Sequence, residues 1–156
     1  MKFRDRAAIF LATGMYIGFV PVMPGTFGSL LGIPLIFLQA IWPLGWSLFF
    51  MLLFIGVAVA AAHRAEKIRG TSDPGCIVID EIAGMAVTLV GLPITPVMVV
   101  AGFILFRALD ILKPPPIRTI DKNVSGGLGV VMDDVVAGIA GNILLRLVLA
   151  VAGPIG

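Results

Sequence analysis

The sequence predicts an all-α, multi-helical integral membrane protein, a helix bundle with short and re-entrant helices formed as a single domain over residues 1–156. Three observations lead there. Hydrophobic residues make up 59% of the chain against 13% charged, with a mean hydropathy of +1.10, whereas a soluble domain carries about 25% charged residues. The 56 residues from Ala7 to Ala62 contain no Asp, Glu, Lys, Arg or His. A second uncharged stretch of 25 residues runs from Ile82 to Phe106.

The first uncharged run is long enough to cross a bilayer twice if it turns back, since one span needs about 20 residues. Pro43, with Gly45 close behind, marks the turn between an arm at Phe27 to Trp42, which carries Pro34, and an arm at Leu44 to Ala62. The opening Met1 to Phe10 imitates a signal peptide, but Gly14 and Gly18 interrupt its apolar part and no Ala-x-Ala pattern follows, so it is expected to be retained. His63 to Asp73 reads as a polar loop. It closes with Ser72-Asp73-Pro74, a capping side chain before a proline, which predicts a helix from Pro74 to about Leu92. Thr95-Pro96 repeats the signal and predicts a helix through Phe106 to Leu112, ended by Pro114-Pro115-Pro116. Gly91-Leu92-Pro93, near the centre of the second uncharged stretch, favours a hairpin over a single span. The final apolar stretch, Val135 to Ala152, is interrupted by Asn142 and Arg146, and its depth stays open.

Charge arithmetic excludes several classes. Eleven basic against nine acidic residues leave +2, no surplus of the kind a nucleic-acid binder shows. Ten of the eleven basic residues fall in three clusters, Lys2 to Arg6, Arg64 to Arg69 and Arg107 to Lys122, which read as marks of the cytoplasmic side. Cys76 and His63 are the only residues of their kinds, which excludes an internal disulfide framework, a zinc cluster and a cysteine–histidine nucleophile.

The chemistry therefore rests on oxygen ligands. Six of the nine acidic residues, Asp80, Glu81, Asp110, Asp121, Asp133 and Asp134, lie between positions 80 and 134 in very apolar surroundings. Burying carboxylates there is costly without compensating cations. Asp80-Glu81 precedes Gly84 and Asp133-Asp134 precedes Gly138 at similar spacing, so two helices that approach at their glycines bring the acids together. Clustered carboxylates without histidine suit Mg²⁺. Arg107 lies three residues before Asp110 and Lys113 three after it, an arrangement that suits a phosphate clamp beside a metal ligand, with Arg118 beyond the prolines. Two glycine-bearing segments, Pro24 to Ser29 and Ser125 to Gly129 with Gly126 and Gly127, lead into helices and can receive an anion.

Missing signatures narrow the reaction. There is no Asp-x-Asp, no Arg five residues beyond Cys76 and no Asp-Gly-x-x-Ala-Arg. Metal-assisted attack by water on a phosphate is what survives. A small divalent-cation carrier using intramembrane carboxylates is the alternative, and a structural protein whose acids only pair with bases ranks behind it.

Five segments in this order resemble the phosphatidylglycerophosphatase A family: Pro24 to Leu30, Ile79 to Gly84, Phe106 to Pro114, Pro116 to Arg118 with Asp121, and Gly126 to Asp134 with Ala137-Gly138. The resemblance implies a multi-pass enzyme of the bacterial inner membrane, with its site on the cytoplasmic face. It implies that this enzyme removes the terminal phosphate of phosphatidylglycerophosphate with Mg²⁺ to give phosphatidylglycerol. By position, Asp80, Glu81, Asp110, Asp133 and Asp134 would be the catalytic and metal-binding acids, and Thr26, Arg107, Lys113 and Arg118 would hold phosphate. Asp134 or Asp80 is the expected general base. The triple proline departs from the family's Lys-Pro-x-Pro pattern, where the third position is often bulky, and is expected to alter the lipid-facing rim.

Overall fold

The computed structural model describes residues 2–153. Among these residues there are seven α-helices and no strand: α1 Phe3–Ala12, α2 Pro24–Ala40, α3 Leu44–Arg69, α4 Ile79–Leu89, α5 Pro96–Leu112, α6 Ile117–Asn123 and α7 Gly126–Ala152, with a short 3₁₀ turn at Ile17–Phe19. Two of them, α3 and α7, are long and apolar enough to cross a membrane. Large apolar side chains such as Phe37, Phe49, Leu52 and Leu147 stand exposed on the outer surface. This apolar exterior fits a helical membrane protein.

The centre of the bundle is α4. Nine of its eleven residues are buried, with α2, α3, α5 and α7 packed around it. Glycines make this enclosure close. A methyl group on Gly84 would strike the Phe106 ring and the backbone carbonyl of Asp134, and one on Gly138 would strike the carbonyl of Gly84. On the other side, Gly28 and Gly32 let α2 lie against Val78, Ile82 and Met85.

The expected hairpin between Ile82 and Phe106 forms. Leu89 ends α4, the chain turns through Gly91 at φ +67°, and Thr95 opens α5 by accepting the Met98 N–H at 3.2 Å. Because α4 stops inside the bundle, its last carbonyls need donors. Asn142 Nδ2 on α7 donates to the carbonyls of Thr88 and Val90, each at 3.0 Å, and Arg146 donates to those of Val90 and Gly91 at 3.1 and 3.2 Å. Arg146 Nε also donates to Asn142 Oδ1 at 2.8 Å. The two polar interruptions of the last helix thus form a clamp on the end of α4.

Several sequence boundaries move. The stretch from His63 to Arg69 is the last part of α3, not a loop, since its charged residues continue the helix to a left-handed Gly70. The helix expected from Pro74 begins at Ile79. Asp73 adopts φ +44°, its N–H is taken by Glu66 Oε1 at 2.9 Å, and the Val78 N–H donates to the Ala12 carbonyl at 2.9 Å, which ties the connection to α1. At the start of α2, Pro24 to Ser29 is already helical, and α7 begins at Gly126. The short α6 has no counterpart in the sequence reading.

Candidate active site

The first turn of α4 carries Asp80 and Glu81, and one turn of α7 carries Asp133 and Asp134. The contact at Gly84 and Gly138 sets the distance between them. One carboxylate oxygen from each of Asp80, Glu81 and Asp134 lies within 4.8 Å of the others, and Asp80 and Asp134 are 8% and 3% exposed. This is a ligand set of the type that holds a hard cation. Asp110, from the last turns of α5, completes the wall beside Asp134.

These acids open on one cavity of about 290 Å³, lined also by Asp73, Arg107, Asp133, Lys113 and the start of α2 at Met23 to Gly25. Gly25 makes the approach of α2 possible, because a Cβ there would overlap the Glu81 carboxylate and crowd Arg107. Ser29 donates to the Gly25 carbonyl at 2.9 Å and accepts from Arg107 Nη1 at 3.5 Å. The same Nη1 donates to Asp110 at 2.6 Å.

Lys113 follows α5 in a left-handed turn at φ +43°, which swings the chain into the prolines. Its ammonium donates to Asp121 Oδ1 and Asp133 Oδ2, both at 2.6 Å. Burial works to lower its pKa, but the hydrogen bonds to Asp121 and Asp133 outweigh it and hold the group above the ordinary lysine value. At the rim, desolvation pushes the Asp73 carboxyl above its ordinary range against the pull of Lys113, with Asp121, Glu66 and Asp110 adding to the rise.

The pairing inside the pocket is incomplete in both directions. Asp80 Oδ1, Glu81 Oε2, Asp133 Oδ1 and Asp134 Oδ2 are buried acceptors without a protein donor, and Arg107 Nε is a buried donor without a protein acceptor. Buried charges left in this state are costly.

Of the residues singled out from the sequence, Asp80, Glu81, Arg107, Asp110, Lys113, Asp133 and Asp134 therefore meet in one pocket. Thr26 lies in the first turn of α2 beside Gly25 but does not line the cavity, and Arg118 is exposed on α6. Gly126 borders a separate cavity with His63 and Glu66, while Gly127 packs against the α3 backbone at Val59 and His63. The structure adds Asp73, and it gives two residues of the Pro24 to Ser29 segment definite parts, Gly25 as the close contact with Glu81 and Ser29 as a partner of Arg107. The one signal for Asp73 is an acid before a proline, and that pattern by itself predicts a helix cap.

Helices packed around buried carboxylates, with an arginine and a lysine facing them, form the scaffold of an all-helical phosphatase. A sequence model of Phosphatidylglycerophosphatase A matches residues 10–149, and the chain belongs to that family. It is 43% identical over 132 residues to an Escherichia coli Phosphatidylglycerophosphatase A, covering 83% of this chain and 76% of the relative. A Haemophilus influenzae Phosphatidylglycerophosphatase A is 36% identical over 131 residues, 83% of this chain and 80% of the relative. A Bacteroides thetaiotaomicron protein named "Putative phosphatidylinositol-3-phosphatase" is 37% identical over 161 residues, 98% of this chain and all of the relative. No solved structure matches the chain.

Proposed function

We propose that this protein is a Mg²⁺-dependent phosphatase that hydrolyses the terminal phosphate monoester of phosphatidylglycerophosphate, giving phosphatidylglycerol and phosphate, at the cytoplasmic face of a bacterial inner membrane. The observation that carries the reading is the two-sided deficit of the pocket, buried carboxylate oxygens lacking a cation beside a buried guanidinium N–H lacking an anion. A phosphate monoester with its divalent cation supplies both at once.

The residues fit Mg²⁺. Asp80, Glu81 and Asp134 would hold it, since the 4.8 Å spread of their oxygens is close to the oxygen shell of one such ion, about 4 Å across. When bound, Mg²⁺ supplies Lewis acidity for water and neutralises charge on the phosphoryl oxygens. The chain's own groups do the rest. Arg107 offers Nε to a phosphoryl oxygen while Asp110 holds its other end. Lys113 adds positive charge at the pocket wall, and its hydrogen bond fixes the position of the Asp133 carboxyl. Asp134 or Asp80 takes a proton from the attacking water as the bond from phosphorus to the glycerol oxygen breaks, and that oxygen takes up a proton from the same acid or from solvent.

The test is phosphate release from phosphatidylglycerophosphate by the detergent-purified chain, with Mg²⁺ and with the metal chelated. Phosphatidylinositol 3-phosphate is the comparison substrate that the Bacteroides relative's name recommends. Asp80→Asn and Asp134→Asn should abolish release in folded protein. Retained activity in both removes the site assignment, and Mg²⁺ uptake into vesicles without phosphate release returns the reading to a cation carrier.

A further inference from the structure

Six carboxylates line the cavity of about 290 Å³, and five of them have a partner or a part in the phosphate chemistry. Asp80, Glu81 and Asp134 form the cation set. Asp110 accepts from Arg107, and Asp133 from Lys113. Asp73 is the sixth. Among the described residues no hydrogen-bond donor reaches its carboxyl, while its backbone N–H donates to Glu66 Oε1 at 2.9 Å and holds the residue in its left-handed turn at φ +44°.

Depth decides what this free carboxyl can do. Asp80 and Asp134, 8% and 3% exposed, lie at the floor of the pocket, whereas Asp73 stands at the rim, in the exposed part of the connection between α3 and α4. The diacylglycerol body of a lipid does not fit a cavity of about 290 Å³. A lipid phosphate monoester therefore enters with its phosphoryl oxygens toward the floor and its ester oxygen toward the rim. Attacking and leaving oxygens lie in line across phosphorus, so the water attacks from the side of Asp80 and Asp134 and the ester oxygen departs on the side of Asp73. An alkoxide departs readily only when a proton reaches it as the bond breaks. The two basic side chains of the pocket are poor sources: an arginine keeps its proton, and Lys113 is held above the ordinary lysine value. Desolvation moves the Asp73 carboxyl the other way for this purpose, above its ordinary range and so toward the form that donates.

We propose that Asp73 is the general acid of the reaction, giving its carboxyl proton to the glycerol oxygen as the bond from phosphorus to that oxygen breaks. The water's oxygen bonds to phosphorus, the water's proton goes to Asp134 or Asp80, and the Asp73 carboxylate regains a proton from solvent at the rim. The proposal rests on the lipid-phosphatase reading.

The experiment uses two lipids that differ in one atom: phosphatidylglycerophosphate, and its analogue with sulfur in place of the ester oxygen between the terminal phosphorus and glycerol. A thiolate leaves without being protonated. Phosphate release from both is measured for the detergent-purified wild type and for Asp73→Asn, with Tm as the check of folding, since asparagine tolerates the left-handed backbone at this position. General acid catalysis contributes at least about a hundredfold. Asp73→Asn should therefore lower kcat on the oxygen lipid by at least about a hundredfold, with KM little changed and kcat on the sulfur lipid near that of the wild type. Full activity of Asp73→Asn on the oxygen lipid overturns the proposal and leaves the proton to the acid that activates water or to solvent. Equal losses on the two lipids in folded protein also overturn it, because they mark a residue that shapes the pocket without donating. If Asp73→Asn fails to fold, Asp73→Gly, whose backbone suits φ +44°, takes its place in the same comparison. No release from either lipid by the wild type overturns the phosphatase reading itself, and the proposal falls with it.

Discussion

The Lys113 ammonium lies 2.6 Å from Oδ2 of Asp133, one of the acids on α7, and 2.6 Å from Oδ1 of Asp121 on α6. One side chain in a left-handed turn thereby joins the end of α5, the short α6 and the acid turn of α7.

Replacing it tests that junction. Lys113→Gln leaves Asp133 without its donor, and the loss of a charged hydrogen bond costs about 2 kcal/mol. Activity should fall by about a hundredfold, the usual effect of removing a charged group that faces a reacting oxyanion. Because the folded-state pKa of Lys113 lies above its ordinary value, its contribution is complete below the ordinary lysine range and is lost only as pH rises through the higher folded value. The pH–rate profile between neutrality and mild alkali should show no limb from this lysine. A limb there that disappears in Lys113→Gln would contradict the ion pair.

Backbone contact at the acids predicts a steric effect. Gly84→Ala drives a methyl into the Phe106 ring and the Asp134 carbonyl, and overpacking of this sort costs about 1–3 kcal/mol. Thermal unfolding in detergent should show a Tm lowered by several degrees. Mg²⁺ affinity should weaken too, since the added volume separates Asp80 and Glu81 from Asp134. Gly45→Ala, with open space around it, should do neither.

The clamp on α4 predicts non-additivity. Asn142→Ala strands the buried Thr88 carbonyl and leaves that of Val90 to Arg146 alone, at a cost of about 2 kcal/mol. Arg146→Gln removes the neighbouring pair of bonds. Arg146 Nε rests on Asn142 Oδ1, so the double variant should lose less than the sum of the two singles, measurable as a coupling in a double-mutant cycle.

At the edge of the bundle, Arg64 Nε donates to Asp5 Oδ1 at 2.9 Å, and this hydrogen bond holds the Asp5 carboxyl below its ordinary value. A lowered carboxyl stabilises the fold above its unfolded-state pKa and ceases to as pH falls through the folded one. Arg64→Gln should therefore lower Tm slightly at neutral pH, less at high salt, and the difference from wild type should close in strong acid.

Much of this architecture was readable because membrane-type sequences are simple in composition. Uncharged runs located the helices, Thr95-Pro96 and Gly91-Leu92-Pro93 located the hairpin, and the glycines one turn after each acid pair gave the convergence of α4 and α7. Polarity is not a mark of irregular structure in this chain. Arg64, Glu66 and Lys67 lie on an intact helix, and Asp73 is occupied by Glu66 and the pocket rim instead of capping α4. The roles of Gly25 and Ser29 depend on how α2 crosses α4, a tertiary relation that no local pattern encodes.

Asn142 and Arg146 supply from the side the donors that another turn of α4 would have supplied along its axis. A short helix completed by its neighbour can reverse direction amid apolar packing without leaving bare carbonyls behind. Arg146 is thereby removed from the tally of charges that tell which side of a membrane a loop occupies. Its position among the residues of α7 records instead where the neighbouring hairpin turns around.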